Sequence, residues 1–166
     1  LTYDGLATDE LTGLHHLAGE QVSVLADGGQ VPDDSVQSTG VMNLDAEASV
    51  VQVGYPFDSD GQTLRFEAGS ATGTAQGKKQ RMHRVIFRLY DTLGLSIGPS
   101  FEHLTALPFR SASTPMGTPQ PLFTGDRDIE WEGDYDTEAT ICWRMNSPLP
   151  GTVVALMPQM VTQDRT

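Results

Sequence analysis

The chain has 166 residues and a formal net charge of −12. That carboxylate excess argues against a general nucleic-acid binder, which needs Lys and Arg to displace counterions from phosphates. Its single cysteine rules out an internal disulfide or a cysteine-rich metal site, and neither a signal-peptide pattern nor an apolar run of the roughly 18 residues a membrane helix needs is present, so a soluble chain is expected.

In chain order, Leu1 to Gly13 is polar and acidic with no apolar period, and reads as a linker or an arm. His15-His16 stands at no recognised metal-ligand spacing. Glu20 to Ala26 alternates, with Val22, Val24 and Ala26 on one side, and Asp27-Gly28-Gly29 supplies a strong hairpin signal. The partner strand is Gln30 to Gln37, where Pro32 marks an edge. Val41 to Leu44 and Ser49 to Val53 read as two further short strands. Asp58-Ser59-Asp60-Gly61 is expected as a loop, because the acids and closing Glu of a calcium loop do not follow. Gln62 to Glu67 is a strand candidate, and the small, glycine-rich stretch Ala68 to Gly77 a loop.

Gln76 to Gly98 carries the clearest period. His83, Val85, Phe87 and Leu89 alternate with Met82, Arg84, Ile86, Arg88 and Tyr90. A period of two in β-branched and aromatic residues predicts a strand. Asp91 to Gly94 reads as a turn, with Leu95 to Ile97 pairing back as a hairpin. On this reading His83 lies on the apolar face.

Pro99 to Gln120 is rich in Pro, Ser and Thr, with a short apolar island at Leu104 to Phe109 and a long loop from Ser111 to Pro121; His103 beside Glu102 carries no further signal. Strands are expected at Asp128 to Glu132, Ala139 to Met145 and Val153 to Met160. Cys142, between Ile141 and Trp143, reads as a small buried hydrophobe. The sum is an all-β fold, an antiparallel sandwich or barrel of about ten short strands with long loops. The domain expectation is a linker or arm at 1–13 and a single β domain over 14–166.

Charge is segregated. Lys78, Lys79, Arg81, Arg84 and Arg88 cluster near the central strand, whereas Asp126, Asp128, Glu130, Glu132, Asp134, Asp136 and Glu138 fall at alternate positions. They read either as two solvated faces or as complementary faces, meeting across strands or between subunits. No Ser, Cys, His or carboxylate constellation points to catalysis, since the carboxylate spacing is what any D-x-D-x-E strand gives. Trp131 and Trp143 are read as core or interface, with a sugar-stacking platform as the competing use.

The strings GLHHLAGEQVSVLADGGQVP (13–32), TAQGKKQRMHRVIFRLYDTLGLSIG (74–98), PFRS (108–111), PMGTPQPLFTGD (115–126), WEGDYD (131–136) and SPLPGTVVALMPQM (147–160) resemble, in order, a domain of the short-tailed bacteriophage tail nozzle or hub family. Members are called tail tubular protein B or packaged-DNA stabilisation protein. The resemblance implies a non-enzymatic virion subunit without cofactors, made in the host cytoplasm. It implies a homo-oligomeric ring, a hexamer, against other tail and adaptor proteins around the DNA exit channel. Lys78 to Arg88 then serve assembly or nonspecific DNA-backbone contact, with Asp126, Asp128, Glu130 and Glu132 as the complementary face. The family's larger body is absent from these 166 residues, so the expectation is one domain of a longer tail protein or a small relative within another tail structure. A carbohydrate- or receptor-binding module, and after it a glycan hydrolase, are the alternatives.

Overall fold

In the computed structural model, residues 1–67 and 73–163 are described, so part of the expected loop Ala68 to Gly77 lies outside them. The chain is nearly all β, as the alternating patterns require. Eleven strands and one short 3-10 turn form three antiparallel sheets among the described residues. The chain divides into two compact units. Unit 1 comprises Leu1–Asp58, Phe109–Pro121 and Asn146–Leu149, and unit 2 comprises Ser59–Pro108, Leu122–Met145 and Pro150–Thr166.

Unit 1 is built on β1 (Thr2–Leu11), β2 (Gln21–Ala26), β3 (Gly29–Ser35) and β4 (Met42–Gly54), in the order β1-β4-β2-β3. Asp27 and Gly28 both take positive φ, so the expected Asp-Gly turn closes β2 on β3 in the twist a hairpin needs. Pro32 sits on an edge strand, as its missing N–H predicts. Val22, Val24, Val51 and Val53 bury one face against Leu11, Leu14, Leu17 and Met42.

The first residues are strand rather than arm. Their period is scrambled by irregular register between Asp4 and Thr8 and again before Glu10. Gly5 lies against the Tyr3 ring, and the Tyr3 hydroxyl donates to the Leu6 carbonyl at 2.7 Å. The two strands expected over 41–53 are one. Thr8 pairs with Ala48 and Glu10 with Asn43, so residues 44–47 face a single residue of β1 and bulge outward, which hides their continuity in the sequence.

Unit 2 holds two sheets. β5 (Ser59–Gln62), β10 (Cys142–Met145), β7 (Leu95–Ser100) and β8 (His103–Ala106) lie in the order β5-β10-β7-β8; β11 (Thr152–Thr162) and β9 (Phe123–Glu130) flank β6 (Gln80–Thr92). The expected β6–β7 hairpin is not formed. β6 is occupied on both edges, and Leu93 N–H donates to the Pro150 carbonyl at 2.9 Å, after which Gly94, at φ +68°, leads the chain into the second sheet. Leu95 and Ile97 are buried there, while Val85, Phe87 and Leu89 are buried on β6.

His83 corrects the apolar-face reading. Gln159 pairs with Arg84 and Met160 with Met82, leaving His83 as the extra residue of a bulge, exposed while Met82 is buried. The strand near Gln62 also shifts. Ser59 to Gly61, expected within a loop, join Gln62 in a strand that pairs with β10, and Leu64 of the expected Gln62 to Glu67 strand stands exposed beyond it.

Sheet edges are blunted by distinct devices. Trp131 N–H donates to the His83 carbonyl, so by antiparallel alternation the Val85 backbone also faces β9. Pro158, opposite Val85, therefore owes β6 no N–H and places its nitrogen on the open edge of β11. On β9, Arg127 points to the half-buried face and stacks 4.2 Å from the Phe123 ring.

Two substitutions test this packing. Phe87→Ala, at a fully buried site, is expected to cost about 3–5 kcal/mol in urea unfolding. Gly61→Ala would place a Cβ 2.2 Å from the Trp143 ring, directly opposite on β10, and is expected to cost about 1–3 kcal/mol.

Candidate assembly face

The outer face of the β11-β6-β9 sheet carries the charged residues singled out by pattern. Register sets Arg88 opposite Asp126, Ile86 opposite Asp128 and Arg84 opposite Glu130. Arg88 donates through Nε and Nη2 to both oxygens of Asp126, at 2.8 and 2.9 Å. One step along, Arg84 reaches diagonally to grip both oxygens of Asp128. The basic and acidic strands thus meet across strands within one chain. The Nε and Nη2 edge of each guanidinium is thus occupied, and it fills two acceptor positions on its carboxylate.

Both pairs are about half exposed. Water and salt screen such pairs, so their use is geometric: they fix strand pairing and leave the face nearly neutral. The Arg88 hydrogen bonds hold the Asp126 carboxyl below its ordinary range, and the same bonds raise Arg88.

The remaining candidates lie on these strands or just beyond their ends. Arg81 is exposed and donates Nε to the Gly133 carbonyl at 3.2 Å. Lys79, Glu130 and Glu132 are exposed, and Lys78 is half-buried. Lys79 and Arg81 therefore form the basic end of β6, apart from the Arg84 and Arg88 ladder.

The same device recurs where sequence reading expected a loop. Asp60 and Arg144 face each other on β5 and β10 with both carboxylate oxygens held at 2.7 Å. Those hydrogen bonds, chiefly, hold the Asp60 carboxyl low. This pair was legible only once β5 was known to be a strand. Among the described residues, no group of three or more His, Cys, Asp or Glu is placed to hold a metal, and His15 and His16 sit exposed in the 3-10 turn.

Trp131 is 8% exposed and edges a groove of about 320 Å³ with Asp134, Asp136, Ser100 and Thr140. Gly133 closes over its ring, with a Cβ there falling 3.1 Å from Cδ1, so the indole offers an edge rather than a platform. Trp143 lies against Gly61. Ser100 Oγ and His103 Nδ1 are 3.1 Å apart across the tight β7–β8 turn. Cys142 is buried; burial pushes its thiol up, and the Asp60 charge adds to the rise.

A second concave feature escaped the sequence reading. In unit 1 the bulged residues 44–47, the 26–32 hairpin and the loop around Thr118 enclose a cleft of about 460 Å³. Its signal was present: residues 1–58 hold ten Asp and Glu and no Lys or Arg.

The ion pairs yield a pH prediction. Asp126 and Asp60 titrate below their ordinary 3.8 when folded, so each supports the fold above that value and the support fades as pH falls below it. Urea unfolding from pH 6 to pH 2 is expected to show a shallower acid loss for Asp126→Asn than for the wild type, and raised salt should narrow the difference. Cys142 is expected to react with a thiol reagent at neutral pH only after unfolding, read by absorbance with and without urea.

Compared with known families and curated proteins, the chain matches no family model and no curated sequence.

Proposed function

We propose that this chain is a structural subunit of a short-tailed bacteriophage tail, a β module that acts by protein–protein assembly around the DNA exit channel rather than by catalysis. The observation that carries the reading is the ordered set of resembling strings from Gly13 to Met160. They cover the β2–β3 hairpin, β6 with the crossing into β7, the Pro-rich loop before β9, and β11. Those segments set turns and strand pairing, which is what a shared scaffold needs.

The charged face, closed within one chain, weighs against a DNA-binding role for Arg84 and Arg88. Arg84 and Arg88 are each held by a carboxylate of the same chain, and a guanidinium whose charge is offset at contact distance attracts a phosphate less than a free one. An acidic body also repels DNA, which suits a wall that nucleic acid must pass. Ring membership, a hexamer in this reading, requires two different surfaces that meet head to tail.

The reading is tested on particles. An antibody raised against this chain is expected to label the tail of purified virions that carry its gene, in negative-stain electron microscopy. Virions free of the label, and free of its peptides by mass spectrometry, would overturn the proposal.

A further inference from the structure

Unit 1 is the acidic part of the molecule: ten carboxylates stand against Arg110 alone. Its cleft has a chemistry of its own. Ala26, Val31, Pro32 and Pro119 give apolar walls, and Asp45 and Glu47 project from the bulge of β4. Both carboxylates are exposed. Asp27, also on the rim, is committed to the backbone N–H groups of Ser49 and Val50. Arg110 lines the same cleft, with Nη2 donating to the Pro115 carbonyl at 2.8 Å. Apolar walls leading to carboxylates suit a Lys or Arg side chain, whose stem packs on the walls while its head meets the acid.

One segment of this sequence has the matching chemistry. At the basic end of β6, Lys79 and Arg81 are both exposed. We propose that the unit 1 cleft is a docking site for a second copy of this chain, receiving its Lys79 and Arg81 side chains against Asp45 and Glu47. The two surfaces differ, so the contact is heterologous and propagates head to tail. It replaces β9 as the acidic partner, because Asp126 and Asp128 are engaged by Arg88 and Arg84 of their own chain. The inference rests on the ring reading for the presence of a neighbouring copy.

The test is a charge swap read by sedimentation at low salt. All four side chains are exposed, and circular dichroism with thermal melting checks that the variants keep the fold. Wild type is expected to self-associate, with Asp45→Lys/Glu47→Lys and Lys79→Glu/Arg81→Glu each weakening association by at least about tenfold. Mixing the two variants is expected to restore a complex, since each supplies a surface that the other lacks. A wild type that is monomeric at every salt, variants that associate like wild type, or a mixture that stays dissociated would each overturn the docking site. A DNA-facing role for Lys79 and Arg81 would also overturn it. That role would appear as short-duplex binding that Lys79→Glu/Arg81→Glu abolishes, with self-association unaffected. Virion labelling is a separate readout, so loss of the docking site and loss of the tail reading are told apart.

Discussion

Pairing of β6 on both edges is the constraint from which the rest of unit 2 follows. A strand with β11 on one side and β9 on the other has no edge left for the residues that come next in the chain. Leu95 to Ser100 must therefore find another sheet, and the chain crosses at Gly94. Val85, Phe87 and Leu89 are buried, while Arg84 and Arg88 remain on the opposite face. Interstrand register then fixes where the carboxylates of β9 fall relative to the arginines. The ion pairs are thus products of strand pairing rather than its cause, since exposed pairs stabilise little.

The same register explains why charge segregation in the sequence does not become segregation on the surface. Alternate carboxylates on β9 and alternate arginines on β6 share one face when their strands are neighbours, and there they neutralise each other. Net charge is instead concentrated where no basic strand is available. Unit 1 has Arg110 alone against its carboxylates, and its cleft is the acidic surface left for an external cation. The proposed assembly contact accordingly falls to the unit 1 cleft and the basic end of β6, while the Arg84 and Arg88 ladder is paired within the chain.

Much of the β architecture was legible because its signals are local. The Asp27-Gly28 turn, the edge position of Pro32, the strand over β6 and the burial of Cys142 each follow from a few adjacent residues. What could not be read depended on partners distant in sequence. The bulge at His83 is set by β11, β1 loses its period through its register with β4, and β5 is a strand because β10 lies beside it. The missing β6–β7 hairpin has the same origin, since a turn signal does not say whether the preceding strand still has a free edge. Of the site, the basic and acidic residues were visible as a pattern; their closure within one chain required the β6–β9 register. The cleft at residues 44–47 stayed hidden because a bulge has no period.

The central claim, that the Arg84 and Arg88 ladder is internal and that the proposed self-association does not depend on it, is tested most directly by the solution mass of Arg84→Gln/Arg88→Gln beside wild type across a salt series. The account predicts that both chains form the same oligomer at low ionic strength and dissociate over the same salt range. A variant that remains monomeric where wild type assembles would contradict it and return these two arginines to the interface.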